Sequence, residues 1–202
     1  MPTAARDRLI AAADRLFYAE GIRAVGVERL LAESGVGRAS FYRHFPGKDE
    51  LVVTVLGERL SRWRAALAAD VSARGGGVLD VFDVLAEQAT DAGFRGCAAI
   101  NAMVEAADRG SVVHQVAADH KEQLAVYLQT LTGDAERAQE LLLVVDGALV
   151  TSLRDPGAIG RARALTKRLM IARNGDVSAP TTTPPRTAPA TPRPPASRRS
   201  RR

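Results

Sequence analysis

Basic side chains are concentrated in one short stretch of the sequence, GVGRASFYRHFPGKDEL, at positions 35–51, and no acid occurs in it before Asp49. Between Ser34 and Lys48 there is no acidic residue, although charges of both signs mix elsewhere in the chain. The basic side chains of the stretch are Arg38, Arg43, His44 and Lys48. Basic groups without acids suit the binding of a polyanion such as nucleic acid, because acids would be repelled by its charge.

A helix over 38–45 would sort these residues onto two faces. At about 100° per residue, Phe41 and Phe45 fall together as i, i+4 neighbours and predict a buried side. The opposite side is small, polar and basic, and it consists of Ala39, Ser40 and Arg43, flanked by Tyr42 and His44. Such a face fits the major groove of DNA, where an arginine bonds to a guanine edge and flanking groups hold phosphates. A solvated basic face on a structural helix is the alternative.

Lys48 is expected in the first turn of the next helix, where the positive end of the helix dipole disfavours a cation. Asp49 and Glu50 follow the usual preference for acids at that end, and Lys48 departs from it. A phosphate bound at this helix N-terminus would explain the departure.

The elements that position these residues are helical, since apolar residues recur at helical spacing and no alternating strand pattern of useful length occurs. A first helix capped by Thr3 ends at Gly21, and a short helix around Leu30 precedes the helix at 38–45. The two short helices, joined by the turn ESGVG, form a helix-turn-helix. Longer helices are predicted over 48–73, 78–93, 97–109, 111–131, 135–153 and 156–173. Asp155 and Pro156 predict the start of the last one.

Charge is unevenly distributed along the 202 residues, of which 46% are apolar. Residues 1–48 carry 8 basic and 5 acidic side chains, residues 49–173 carry 14 and 17, and residues 174–202 carry 6 and 1. Two basic ends therefore flank a slightly acidic middle, which fits an anionic partner or simply a soluble surface. Cys97 is the single cysteine, and neither a signal peptide nor a membrane span is recognisable, so we expect a soluble cytoplasmic protein.

The segment GVERLLAESGVGRASFYRHFPGKDEL, with RLIAAADRLFYAEGI before it, resembles the DNA-binding region of the TetR family of bacterial transcriptional regulators over about 5–55. The resemblance implies phosphate contacts by Tyr42, His44 and Lys48. It implies positions near base edges for Arg38, Ala39, Ser40 and Arg43. One departure is Gly26, since the family often has Thr or Ser at this helix start, and glycine offers no side-chain bond there.

The resemblance also implies an all-α protein that forms a homodimer and binds a small molecule in its C-terminal part. We accordingly predict a helix-turn-helix DNA-binding domain at 1–47, a helical ligand-binding and dimerisation domain at 48–173, and a disordered basic Pro-rich tail at 174–202. The tail would add phosphate contacts or act as a solubilising end.

A mostly apolar pocket for a small apolar ligand is expected in the second domain, where GFRGCAAINAMVEAADRG resembles part of the family more loosely. The residues predicted to line it are Trp63, Phe82, Phe94, Cys97, Asn101, Met103, His120 and Tyr127. For each of them, ordinary core packing is the alternative. The spacing of the cysteine and the histidines matches no zinc site and no catalytic arrangement, so we predict no cofactor, no metal and no enzymatic activity.

The last two helices carry apolar stripes that predict a dimer interface in the form of a four-helix bundle with two-fold symmetry. The predicted interface residues are Leu141, Leu142, Val145, Leu149, Ile159, Leu165 and Leu169. Packing within one chain is the alternative.

The sequence thus predicts a DNA-binding transcriptional regulator, and more specifically a dimeric repressor that a small-molecule ligand releases from a palindromic operator. Two alternatives stay open: a DNA-binding protein that responds to no ligand, and a helical protein-interaction module.

Overall fold

The computed structural model describes residues 2–106 and 108–175, and the regular secondary structure of this part of the chain is all α-helix. Its nine helices are α1 Pro2–Glu20, α2 Val27–Ser34, α3 Arg38–His44, α4 Lys48–Arg74, α5 Val78–Gln88, α6 Ala98–Ala106, α7 Val112–Thr132, α8 Ala135–Thr151 and α9 Ala158–Gly175. The all-α prediction is confirmed. The disordered tail is predicted to start at 174, but residues 174 and 175 still belong to α9, and the rest of the tail, from 176 onward, lies outside the described residues.

The first three helices pack around an apolar cluster to which the start of α4 also contributes; we refer to this unit as the head. Its fully buried residues include Leu9, Val25, Leu30, Phe41 and Leu51. Gly35 turns the chain between α2 and α3 with a left-handed backbone, φ 62°, which glycine adopts without a steric penalty. The helix-turn-helix is therefore present where the sequence predicts it.

Helices α5, α7, α8 and α9 pack with the C-terminal half of α4 around one apolar cluster. Helix α6 joins them through a smaller cluster with Leu56 and Leu60 of α4 and Ala117 of α7. We refer to this second unit as the body. Its core contains Phe82, Leu85, Leu124, Leu128 and Leu141, all buried. Helix α4 belongs to both units: Leu51, Val52 and Val55 lie in the head cluster, and Leu67 and Val71 lie in the body cluster. The head and the body therefore share a continuous helix. No helix in the described ranges is long and apolar enough to cross a membrane.

Several element boundaries differ from the sequence prediction. Helix α1 begins at Pro2, so Thr3 lies inside it rather than before it, and α6 and α8 end at Ala106 and Thr151 rather than at 109 and 153. Helix α5 ends at Gln88 rather than at 93, because the Asp91 carboxylate accepts a hydrogen bond from the Gly93 N–H at 2.6 Å and folds this segment into a turn. Helix α9 begins at Ala158, two residues after the predicted start, because the Asp155 carboxylate accepts the Gly157 N–H at 3.0 Å. Local side-chain bonds compete with the helix at both places.

Candidate nucleic-acid interface and the head–body junction

Helix α3 presents the two faces that its sequence predicts. Phe41 and Phe45 are buried in the head, with their ring centroids 6.2 Å apart. On the other side Ala39, Tyr42 and Arg43 are exposed, and Ser40 is half-buried. Small and basic groups therefore point to solvent, while the aromatic side fixes the rotation of the helix. We refer to the residues at positions 38–40, 42 and 43 as the basic face.

Two side-chain contacts organise the basic face. Arg43 donates a hydrogen bond through Nη2 to the Ser40 Oγ at 3.0 Å, which holds the guanidinium along the helix surface. Arg38 forms an ion pair with Glu28 of α2, and both side chains are largely exposed, by 60% and 73%. Glu28 was missed at the sequence level because it lies outside the acid-free window. The folded head places this acid beside α3, so Arg38 is already ion-paired with Glu28 before any DNA binds.

The residues that flank the basic face differ in accessibility. Tyr42 is 48% exposed and packs edge-on against the Phe41 ring, at a centroid distance of 5.1 Å. His44 is half-buried, and its Nε2 atom is buried without a hydrogen-bond partner in the described structure. Lys48 is half-buried, with its Nζ 6.0 Å from the Phe17 ring centroid in a cation–π contact. A phosphate contact by His44 stays a prediction, and its Nε2 does not face solvent.

Three helices of the head, α2, α3 and α4, begin after a glycine with extended backbone: Gly26, Gly37 and Gly47. None of the three starts has a side-chain cap hydrogen bond, so their first N–H groups depend on other acceptors. Helix N-termini in this condition attract anions, because the N–H groups and the helix dipole both favour negative charge. The expectation that Gly26 offers no side-chain bond is confirmed.

Several residues predicted to line a ligand pocket lie in the packed interior of the body. Phe82 and His120 are buried, and Trp63 packs against the His120 ring at 5.6 Å and donates through Nε1 to the Gln88 side chain at 2.9 Å. Burial, followed by the positive charges of Lys121 and Arg64, lowers the pKa of His120 to about 3. The imidazole is therefore neutral, and its Nδ1 accepts from the Arg64 guanidinium at 2.8 Å.

Cys97 and Tyr127 also lie against the body core, and Met103 packs against a smaller cluster between α4, α6 and α7. The ammonium of Lys121, which is buried, donates to the Cys97 Sγ at 3.3 Å and forms an ion pair with Asp146. Pairing with Asp146 compensates for the cost of burying this cation.

A cavity of about 620 Å³ lies instead at the contact between the head and the body, between α1, α4 and α6; we refer to it as the junction cavity. Of the eight residues predicted to line a ligand pocket, Phe94 and Asn101 line this cavity. Asn101 is held by a hydrogen bond from its Nδ2 to the Arg95 carbonyl oxygen at 2.9 Å. The other six lie elsewhere, and their contact with a ligand stays a prediction.

Hydrogen bonds that connect the head to the body lie along the wall of the junction cavity. The Tyr18 hydroxyl donates to the Gly96 carbonyl oxygen at 3.1 Å and accepts from the Arg95 N–H at 2.9 Å. The Glu105 Oε2 accepts from the Arg23 N–H at 2.9 Å. Sequence reasoning missed these contacts, because their partners are backbone groups that become neighbours only through tertiary packing.

Comparisons with known proteins agree with this architecture. The family of bacterial regulatory proteins named tetR matches residues 9–55, which include the helix-turn-helix. A crystal structure of a TetR-family transcriptional regulator from Streptomyces coelicolor superposes with a TM-score of 0.78 and 30% sequence identity, covering 85% of this chain and 91% of that one. The chain belongs to the TetR family of transcriptional regulators. A TetR-type regulator from Streptomyces avermitilis is similar, with a TM-score of 0.73, 28% identity, and coverage of 84% and 97%.

Curated relatives named as HTH-type transcriptional regulators match over shorter segments. The HTH-type transcriptional repressor DrrR1 of Streptomyces coeruleorubidus is 39% identical over 80 residues, which are 34% of this chain and 29% of DrrR1. The HTH-type transcriptional regulator LmrA of Bacillus subtilis is 34% identical over 64 residues, 31% of this chain and 34% of LmrA. These alignments span about a third of the length of either relative.

In this TetR-family chain, the two helices predicted to form the dimer interface carry both buried and exposed apolar residues. Four of the predicted interface residues are buried in the body of the single chain: Leu141, Val145, Leu149 and Ile159. Packing within one chain is the alternative interpretation of these residues. Leu142 packs partly against the same core. Leu165 and Leu169 are exposed, and α8 adds Leu143 and Val150, exposed by 75% and 49%. We refer to Leu143, Val150, Leu165 and Leu169 as the exposed apolar face of α8 and α9.

Proposed function

We propose that the protein is a dimeric repressor that binds a palindromic operator and is released from it by a small molecule. The observation that carries the DNA-binding part is the basic face of α3, small and arginine-bearing, held outward by the buried Phe41 and Phe45. In this proposal Arg38 and Arg43 lie near base edges, and Tyr42 and Lys48 contact phosphates. The name of DrrR1, a repressor, supports repression.

A two-fold dimer would be formed through the exposed apolar face of α8 and α9. Apolar side chains as exposed as Leu143 are costly in water when they lie together, and self-association buries them. A dimer with one helix-turn-helix per subunit reads two half-sites about one DNA turn apart, roughly 34–36 Å, or a multiple of that distance. Because the matched relatives are named as regulators, we infer a binding role rather than an enzymatic one.

Selection from a random DNA library by the full-length protein tests this function. The expected result is one enriched near-palindromic motif, also obtained with a protein that ends at residue 173. If no motif is enriched by the folded protein, the basic face is not a sequence reader and the interaction-module interpretation becomes the better one.

A further inference from the structure

The junction cavity has the size of a small-molecule site. Its volume of about 620 Å³ lies within the range of roughly 300–1,000 Å³ that is usual for ligand pockets. Much of its wall is apolar, and it includes Phe17, Val52, Val55, Leu56, Phe94 and Ala102. All of these except Phe94 are themselves buried, and the more accessible apolar side chains of the wall are Ile22, Phe94, Val104 and Leu153. A mainly apolar molecule would contact Ile22 of the head and the other three of the body.

Charged groups of the wall differ in whether they are already paired. The Asp14 carboxylate forms ion pairs with Arg59 at 2.8 Å and with Arg62 at 3.1 Å. Glu20 forms an ion pair with Arg29 at 3.4 Å. The negative charges of these two acids are therefore compensated by neighbouring guanidinium groups, and a ligand cation would gain little by pairing with them.

Glu105 is the exception among the acids that line the cavity. Its half-buried carboxylate forms no salt bridge within the described ranges and accepts the Arg23 N–H. A half-buried carboxylate that forms no ion pair within the described ranges is complementary to a positive group on a ligand. Arg95 of the wall also forms no ion pair in the part of the chain that the structure describes, but it is exposed and can be hydrated by solvent, so a cation is favoured over an anion.

We propose that the junction cavity binds a small, mainly apolar organic cation whose positive group faces Glu105, and that its binding changes how the head sits on the body. The second part rests on the proposed function. Two sets of hydrogen bonds would couple a bound ligand to the position of the helix-turn-helix. They are the bonds of Tyr18 to residues 95 and 96 and the bond of Glu105 to Arg23. A ligand that binds better when α1 and α6 are further apart shifts the population toward that state.

The binding test uses three fluorescent probes with one apolar body and different charge: pyrenemethylamine, pyrenemethanol and pyrenecarboxylate. Each is titrated into the full-length protein without DNA. We expect the amine to bind most tightly. Glu105→Gln should lower the affinity for the amine by about tenfold or more and leave the affinity for the alcohol nearly unchanged. The Glu105→Gln protein should fold normally, because the introduced amide oxygen still offers an acceptor to the Arg23 N–H, and thermal unfolding checks this.

The matched control is Glu122→Gln on α7, which removes the same charge from an exposed position outside the cavity wall. It should leave all three affinities unchanged. The cation site is overturned if the amine shows no saturable binding, if the carboxylate binds as tightly as the amine, or if Glu105→Gln leaves amine binding intact.

A second measurement separates the site from the proposed function. Anisotropy of labelled operator DNA is followed as pyrenemethylamine is added, and Glu105→Gln should require about tenfold more amine for release. Glu105-dependent amine binding without any change in DNA affinity would overturn the coupling. A protein that binds the amine but selects no DNA motif would overturn the proposed function and leave the site standing.

Discussion

Glu28 is the residue whose effect on DNA binding is easiest to isolate. It is an exposed acid paired with Arg38, at the edge of the basic face. Exposed pairs contribute about 0.2–1 kcal/mol, so Arg38 is readily released when a better acceptor approaches. The pair would hold the Arg38 guanidinium beside α2 in the absence of DNA, while the acid itself repels phosphates.

Replacing Glu28 by Gln should therefore raise affinity for DNA of any sequence, by about two- to fivefold at low salt, with a smaller gain at high salt. Fluorescence anisotropy with operator and unrelated duplexes at two salt concentrations measures this. Glu33→Gln is the control in the same helix, because Glu33 forms ion pairs with Arg15 and Arg29 and not with a residue of α3. A loss of operator affinity in Glu28→Gln would mean that the acid positions Arg38 for base reading.

At the scale of the helix, the N-terminus of α4 combines two features that favour a phosphate. Gly47 provides no side-chain cap, and Lys48 lies in the first turn against the Phe17 ring. A cation at this end opposes the helix dipole, and a bound phosphate would reverse that cost.

Lys48→Ala should weaken binding to all DNA sequences about equally and reduce the salt slope by about one. The measurement is the dependence of the dissociation constant on salt for operator and unrelated DNA. Lys167→Ala, which removes an exposed lysine of α9, is expected to change neither quantity. A loss confined to the operator would contradict the assignment of Lys48 as a phosphate contact.

Helical periodicity accounts for what the sequence predicts at this scale and for what it misses. The two faces of α3 follow from the spacing of Phe41 and Phe45, because a short helix on a small core has one possible rotation. In α8 the apolar residues surround more of the helix, so Leu141 and Val145 are buried while Leu143 is exposed, and the stripe alone did not separate core from surface. The junction cavity was not predictable, because α1, α4 and α6 meet through tertiary packing.

At the scale of the whole molecule, the exposed apolar face of α8 and α9 lies in the body, while the basic face lies in the head. Dimerisation through the body would therefore leave both heads available for DNA. The shared helix α4 would then transmit a change at the junction cavity from one unit to the other.

Leu143→Glu should convert the proposed dimer to a monomer. The dimer dissociation constant should rise by more than about tenfold, because a charged group would be buried at the proposed interface without a partner. Sedimentation velocity over a range of protein concentrations measures this. The control is Val126→Glu, a comparable change at a position of α7 that is 61% exposed. A variant at Leu143 that remains as dimeric as the wild type would place the interface elsewhere.

Arg43 provides the most direct test of the central claim, which is that the basic face of α3 reads DNA sequence. The measurement is the affinity of wild type and Arg43→Ala for the selected operator and for every single-base variant of it. The account predicts a loss of roughly 1–3 kcal/mol at the operator and a relaxed preference at one base position in each half-site. An Arg43→Ala protein that keeps its full selectivity at every position would contradict it.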